Sequence, residues 1–567
     1  MKKWVLRERV SENLKDQLLF YRGIKTEEDA YKFLNPDYEK DLRDPFELLN
    51  MERAVERIIK AVRDNEKMII FGDYDADGVS ASAIFYHFFK KIGFDNFNVY
   101  IPDRHQDGYG LTKEAIKEFK KDNVSLIITL DCGITDVEEI ELINNLGMEA
   151  IIIDHHLPPD LNGGKMPPAF AIVDPKQKED LYPFKDFCGA GLAFKTVQAI
   201  INRGLEMGHF EVVPGWEKWL LDMVAIATIA DMVSLLGENR ILTYYGLKVL
   251  RKTRRVGLLA LFNRLGLNPL TINEDDVSFM IAPRINITSR MSHANASFEL
   301  LTTESFEEAN WIVSRMEMLS VERKNAVEKI LEEVDKKLER LDDLPSVIVF
   351  GNLNWNTGVL GLAASRLVEK YNRPVFLWGK ERAKEIKGSC RSDGVINVVE
   401  LMSLLPEDIF FDKGGHSFAG GFTLKEDKID VFEKEIFSAF ENIPKFHAEN
   451  NLYIDAEVSI KDIDEEFYSA IEKFAPFGSD NPKPIFLFKN LEVFNKRVFG
   501  NGGLHLQLDF KKSENEIISA VGFFMKDLEK VKIGSKINLV ATLEKSFFKT
   551  TPELRLKILD ILPTKDL

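Results

Sequence analysis

Five short, nearly unbroken apolar runs mark the first third of the chain: "KMIIFGD", "NFNVYIP", "SLIITLD", "EAIIIDHH" and "FAIVDP". Between them lie amphipathic helical stretches such as "LTKEAIKEFKKD" and "DVEEIELINNLG". Strands that are apolar at every position, alternating with helices, predict a parallel α/β sheet covered on both faces. The first 50 residues read as a helical lead-in, because "TEEDAYKFLNP" has a Thr N-cap signal, acids in its first turn and a stop at Pro36.

The pattern then changes three times. From about residue 194 to 290 it is mostly helical, and a long charged helix over 305–341, free of Gly and Pro, predicts a bridge between domains. A second α/β unit runs from "SVIVFGN" over 342–444, followed by the linker-like "NIPKFHAENN". The remainder, 452–567, is rich in strands: "NLYIDAEVSI", "PIFLFKNLEVFNKRVF", "LHLQLDF", "EIISAVGFF", "SKINLVATLEKS" and "ELRLKILDIL". Five or six strands with one helical interruption predict a small barrel of the OB type. The expected plan is therefore a lead-in (1–50), a parallel-sheet domain (51–304), a connecting helix (305–341), a second α/β domain (342–444) and a barrel (452–567).

Composition narrows the class. With 567 residues, 45% of them hydrophobic, the chain should fold as several globular domains. Three cysteines without a C-x-x-C pair argue against a disulfide framework or a thiolate zinc site and fit a reducing cytoplasm. No signal peptide and no bilayer-spanning apolar run is expected. A net charge of −16 opposes indiscriminate adhesion to nucleic acid, although metal ions and local basic patches can reverse the sign of a groove.

The candidate chemistry sits where strands end, the usual ligand side of an open parallel sheet. "MIIFGDYDAD" brings Asp73, Asp75 and Asp77; "LIITLDCG" brings Asp131; "AIIIDHH" brings Asp154, His155 and His156; "VAIATIADMV" brings Asp231. Carboxylates and imidazoles converging on one edge can hold Mn²⁺, Mg²⁺ or Zn²⁺. Two such ions can activate a water and stabilise the leaving oxygen of a phosphoester. Competing readings are an EF-hand, a phosphatase-type Asp73 nucleophile, and simple solvated turn acids. The EF-hand lacks its glutamate, since Ile84 stands there. The Asp73 nucleophile leaves both histidines idle, and four coincident strand ends speak against plain turns.

Together "DYDADG" (73–78), "LDCGIT" (130–135), "DHH" (154–156) and "IADMV" (229–233) resemble the DHH phosphoesterase superfamily. "GGHSFAGG" (414–421) resembles the glycine-rich motif of its DHHA1 domain, and "PFGSDNPKPIF" (476–486) resembles the entry to the OB domain of the superfamily's bacterial exonucleases. The resemblance makes 51–304 a DHH catalytic domain, 342–444 a DHHA1-like substrate-binding domain and 452–567 a nucleic-acid-binding domain. It implies a 5′→3′ exonuclease that hydrolyses single-stranded DNA to mononucleotides in repair and recombination. Two other roles stay open: a phosphodiesterase for short oligonucleotides or cyclic dinucleotides, and a non-catalytic DNA-binding scaffold.

Residue by residue, the resemblance implies two divalent ions, Mn²⁺ or Mg²⁺, on Asp73, Asp75, Asp77, Asp131, His155 and Asp231, with Asp131 as the bridge. Asp77, Asp131 and His156 are the implied catalytic groups, His156 facing the scissile phosphate. Asp154 either fixes a histidine tautomer or caps a helix. Small-molecule relatives carry a histidine where Phe71 stands, so Asp73 or water is expected to complete the first metal's shell. Arg104, Arg284, Arg290, Ser389, Arg391 and His416 are the implied substrate-binding residues, Ser389 and Arg391 lying near a 5′ phosphate. The barrel offers Lys496, Arg497, His505, Lys545, Phe547 and Phe548 for strand binding. The basic run of Arg251, Lys252, Arg254 and Arg255 is either a DNA track or a solvated helix face. The implied partners are single-stranded DNA and possible single-strand-binding protein or helicase, with the chain itself a monomer.

Overall fold

The computed structural model describes residues 3–104, 108–381, 385–445, 451–500, 503–525, 531–547 and 552–564. The chain forms two compact units: Arg43–Val233 with Tyr245–Ala448, and Met1–Leu42 with Ser234–Tyr244 and Glu449–Leu567.

The first unit contains two sheets. Strands β1 (Met68–Gly72), β2 (Phe97–Tyr100), β3 (Leu126–Leu130), β4 (Glu149–Ile153) and β5 (Ala171–Val173) form a wholly parallel sheet in the order β2-β1-β3-β4-β5. Every residue of β1 and β3 is buried, which is why these strands read as continuous apolar runs. One face packs Ile69, Phe71, Ile127 and Ile152 against Ile116, Phe119, Ile140 and Ile143 of two covering helices. Helices α1 (Ala76–Lys91) and α2 (Gly189–Glu206) pack on each other, and both touch the sheet. The strand order reverses between β1 and β3, and the crevice that such a switch opens lies at the strands' carboxyl ends.

Helix α3 (Leu221–Ala230) is buried at all but its last position and packs against α1 and α2. Helices α4 (Ala282–Met291) and α5 (Phe306–Leu338) pack together. Strands β6 (Ile348–Asn356), β7 (Val375–Glu381), β8 (Ile386–Arg391), β9 (Phe410–His416) and β10 (Ala419–Leu424) form the second sheet, ordered β9-β10-β8-β7-β6. Only β6 and β7 run parallel; the other pairs are antiparallel. Helix α6 (Leu360–Tyr371) packs against β7 and β8.

The second unit is built on a barrel of β11 (Phe486–Phe499), β12 (His505–Lys511), β13 (Ile517–Gly522), β14 (Lys536–Ser546) and β15 (Glu553–Pro563). The order β11-β12-β13-β15-β14 closes as β14 pairs back onto β11. This is the strand order of an OB-fold, with β13 and β15 as the parallel pair. Leu506, Leu508 and Phe510 point inward while His505, Gln507 and Asp509 alternate outward. The N-terminal lead-in differs from the expected all-helical segment. It opens with a strand, Lys3–Leu6, paired in parallel with Asn451–Ile454, before its helices begin. Leu18, Leu19 and Phe33 from those helices join the barrel core. Among the described residues, no helix is long and apolar enough to cross a membrane.

Candidate active site

The sheet's hydrogen bonding extends one residue past three strands and fixes the key acids. Asp73 N–H donates to the Leu130 carbonyl (3.2 Å), Asp131 N–H to Ile153 (3.0 Å) and Asp154 N–H to Val173 (3.2 Å). Asp131 takes a left-handed backbone with φ of 63°, a conformation that is uncommon for residues other than glycine. Gly189, at the start of α2, lets it fit: a Cβ there would lie 2.5 Å from Asp131 Cβ and 2.7 Å from Oδ1.

The acids after β1 double as helix caps. Asp75 Oδ1 accepts from the N–H groups of Asp77 (2.8 Å) and Gly78 (3.2 Å) and so caps α1. Asp77 reaches across to the start of α2, where Oδ2 accepts from Gly189 N–H (2.6 Å) and Oδ1 from Ala190 N–H (2.7 Å). Each carboxylate is thereby oriented by a helix N-terminus while keeping lone pairs for another partner. Asp231 is delivered by the C-terminus of α3.

These segments meet at His155. Its Nε2 lies 3.1 Å from Asp131 Oδ1, 3.8 Å from Asp77 Oδ2 and 3.8 Å from Asp231 Oδ2. Three sets have ligand atoms within 4.8 Å of one another: Asp131 with His155 and His156, Asp77 with His155 and Asp231, and Asp73 with Asp75 and Asp131. Asp131 and His155 each belong to two sets.

The electrostatics are those of carboxylates crowded together away from water. Burial first, then neighbouring carboxylates, push the Asp73, Asp77 and Asp131 carboxyls upward, and Asp231 to about 6. The buried Oδ1 atoms of Asp73 and Asp131 have no hydrogen-bond donor among the described residues. Burial lowers His155 to about 3, so its imidazole is neutral and keeps a lone pair to offer. Divalent cations fit this donor set: hard carboxylate oxygens plus one or two imidazoles.

His156 is held differently. Its Nδ1 shares a 2.8 Å hydrogen bond with Asp154 Oδ1, which also accepts the N–H groups of His155 and His156. Ile134 N–H binds the other Asp154 oxygen at 3.0 Å. Burial opposes the His156 charge, but Asp154 outweighs it and raises the pKa to about 9. Asp154 therefore orients a histidine, and no helix begins at this point.

The arginines gather in the same unit. Arg104 lies 5.0 Å from the Tyr74 ring centroid. Burial, then the charges of Arg104 and Arg323, lower Arg290 to about 10, while Asp75 opposes and Arg391 adds to the shift. Arg104, Arg290, Arg323 and Arg391 thus share one electrostatic neighbourhood with the acid cluster. Arg284 is engaged, its Nε 2.7 Å from Glu317 of α5. On β8, Arg391 Nη1 donates to Ser389 Oγ at 3.1 Å. Gly361 of α6 faces this pair, and a Cβ there would lie 2.7 Å from Arg391 Nη2. His416, exposed on β9, is in register with Ala419, which is in register with Arg391, so the three form one cross-strand row.

Several residues escaped the sequence reading. Arg323 stands among many charges of α5 with no distinguishing signal. Tyr109, five residues after Arg104, has its hydroxyl 3.3 Å from both the Asp131 carbonyl and His156 Nδ1. Asp174 ends β5 as one further buried strand-end acid, pushed up to about 8 by burial, with Lys176 N–H on its Oδ1.

The basic run divides. Arg251 donates to the Ile272 carbonyl and Arg255 pairs with buried Asp222, so these two support the fold. On the barrel, Lys496 donates to the Val531 carbonyl and Lys545 pairs with Glu465. His505 stands among Phe499, Phe523 and Phe524, and Phe547 is half exposed. Phe548 lies outside the described residues.

A parallel sheet whose strand ends gather acids around a D-H-H triplet defines a DHH-type protein, and residues 67–228 match the DHH family, N-terminal domain. Residues 344–442 match the DHHA1 domain and residues 454–560 the RecJ OB domain. The single-stranded-DNA-specific exonuclease RecJ of Bacillus subtilis is 34% identical over 552 residues, covering 96% of this chain and 67% of the relative. The Escherichia coli RecJ exonuclease is 30% identical over 476 residues, 82% of each chain. The crystal structure of Thermus thermophilus RecJ with Mn²⁺ superposes with a TM-score of 0.80 at 26% identity, covering 99% of this chain and 79% of that one. The chain belongs to the RecJ family.

Proposed function

We propose that this chain is a metal-dependent exonuclease that hydrolyses single-stranded DNA from the 5′ end and releases mononucleotides. One observation carries the reading: carboxylates from three separate chain segments meet around His155, itself carried by a fourth, in a chain of the RecJ family. Two divalent ions, Mn²⁺ or Mg²⁺, when bound there would supply the positive charge that polarises water and a phosphodiester. Asp73, Asp75, Asp77, Asp131, His155 and Asp231 are the proposed ligands. Asp131, common to two of the sets, is the proposed bridge.

The protein's own groups then bind and orient. Asp77, anchored on α2, and Asp131, fixed by the sheet, hold their oxygens still. His156, steadied by Asp154, donates a hydrogen bond to the scissile phosphate and stabilises charge that builds there. Arg391 with Ser389 takes the terminal 5′ phosphate, since a guanidinium fork matches phosphate oxygens. Arg104, Arg284, Arg290 and His416 hold further phosphates of the strand. The DHH, DHHA1 and barrel regions would divide the work as catalysis, end recognition and strand binding. A helicase or single-strand-binding protein would supply the open strand that such an enzyme needs.

The test is a cleavage assay on a single strand that carries its label in the 5′-terminal phosphate. Mn²⁺-dependent release of mononucleotides, halted by chelation and blocked by duplex, is expected. Cleavage confined to dinucleotides or cyclic dinucleotides would assign the short-substrate phosphodiesterase role instead. Strand binding without cleavage would mark a scaffold.

A further inference from the structure

The first turn of α1 is satisfied in an unusual way. Asp77 and Gly78 donate to Asp75 Oδ1, and Val79 N–H donates to the Asp75 carbonyl. The remaining amide, Ala76 N–H, is bound from 210 residues away: it donates to Asn286 Oδ1 at 2.8 Å. Ala76 lies between the two acids Asp75 and Asp77. An unsatisfied amide at this helix start would leave a positive partial charge beside two proposed cation ligands. Asn286 quenches it with a neutral oxygen. The capping bonds use Asp75 Oδ1 alone, so Asp75 Oδ2 carries no capping duty.

Asn286 lies on α4, four residues before Arg290 and therefore on the same face of the helix. Arg290 in turn acts electrostatically on Asp75 and is shifted by Arg104. One helix face thus carries both a guanidinium beside the acid cluster and the oxygen that steadies the turn between two of its acids.

Resting on the metal-site reading above, we propose that Asn286 is a positioning residue that ties the arginine-bearing helix α4 to the turn carrying Asp75 and Asp77. It holds the Asp75–Asp77 geometry for cation binding, and it couples a phosphate seated at Arg290 to that geometry. By linkage, Mn²⁺ tightens DNA binding and DNA tightens Mn²⁺ binding through this hydrogen bond as well as through direct charge.

The experiment uses the full chain and measures Mn²⁺ binding by the electron paramagnetic resonance of free Mn²⁺, without DNA. Asn286→Ala is expected to weaken Mn²⁺ by about tenfold to a hundredfold, the usual cost of losing a group that supports a ligand. Thr288→Val is the control on the same helix. Thr288 bonds Ser297 and the Ile285 carbonyl rather than the turn, and the variant should bind Mn²⁺ as the parent does. Asn286→Asp keeps an acceptor at the same reach and should bind Mn²⁺ at least as tightly as the parent. A second readout is the ratio of oligonucleotide affinities with and without Mn²⁺, using a 5′-phosphorylated oligothymidylate; Asn286→Ala should shrink it. Unaltered Mn²⁺ affinity in Asn286→Ala, an equal loss in Thr288→Val, or a loss in Asn286→Asp would each overturn the inference. A parent chain that binds no Mn²⁺ would instead overturn the metal-site reading itself.

Discussion

Gly189 and Asp131 stand so close that a single methyl group between them would collide: the Cβ of an alanine at 189 would lie 2.5 Å from Asp131 Cβ and 2.8 Å from its Cγ. The N-terminus of α2 and the end of β3 are therefore packed backbone against side chain. The amides of Gly189 and Ala190 bind Asp77 from the same place. Two acids from different strand ends thus share one helix start as their support.

Gly189→Ala should displace Asp131 and lower both Mn²⁺ affinity and turnover by about tenfold or more. Gly191→Ala, two residues on, would place its Cβ 3.4 Å from the Phe187 ring and 3.7 Å from Cys188 Sγ, and should bind Mn²⁺ nearly as the parent does. Titration of both variants with Mn²⁺ checks the contrast. Equal losses would mean that helix packing, not the Asp131 contact, is at stake.

Asp131→Asn should leave the fold and much of the DNA affinity while reducing cleavage by about a hundredfold or more. Asparagine tolerates the left-handed backbone at this position and removes only the charge. Single-turnover cleavage alongside a DNA-binding isotherm separates the two effects. Turnover close to that of the parent would contradict the bridging role.

Arg391→Ala should cut the preference for 5′-phosphorylated over 5′-hydroxyl ends by about tenfold or more, as expected for losing charged hydrogen bonds to phosphate. Gly361→Ala should act in the same direction by crowding Arg391 Nη2. The measurement is the ratio of kcat/KM for the two ends. A ratio that stays fixed in both variants would place the end-binding pocket elsewhere.

His87, near the opposite end of α1 from Asp77 and bonded through Nε2 to the Leu301 carbonyl at 3.0 Å, predicts a pH dependence of stability. Burial lowers its pKa from 6.5 to about 3. Between these values the unfolded chain binds more protons than the folded one, so this contribution is present above about 6.5 and is lost as pH falls toward 3. The limiting slope is about 1.4 kcal/mol per pH unit. His87→Asn should flatten the acid limb of stability between pH 4 and 6, read from denaturant midpoints in chelator; an unchanged slope would show that His87 is not its source.

Much of this architecture was legible in the sequence because burial leaves a direct trace. Strands such as "MIIFG" and "LIITL" are apolar at every position only when both faces are covered, and their terminal acids are then forced to the sheet edge. Barrel strands alternate because one face is wet, as in "HLQLDFK". What the sequence hid depends on contacts between distant segments. Nothing local in "KWVL" announces that it pairs with residues 451–454. The acids could be assigned to a cluster, but not the helix starts they cap, since Asp77 finds Gly189 and Ala190 only after the chain has folded. Arg323 and Arg284 look alike in sequence, yet Arg284 is paired with Glu317 while Arg323 sits among like charges.

The central claim is that the acids around His155 are a seat for divalent cations, with Asp131 shared between two of them. Anomalous diffraction at the manganese edge, from crystals of this chain grown with Mn²⁺, tests it most directly. Two peaks are predicted, one within bonding distance of Asp77, His155 and Asp231 and one beside Asp73 and Asp75, with Asp131 touching both. Strong peaks elsewhere, or none among these side chains at saturating Mn²⁺, would contradict it.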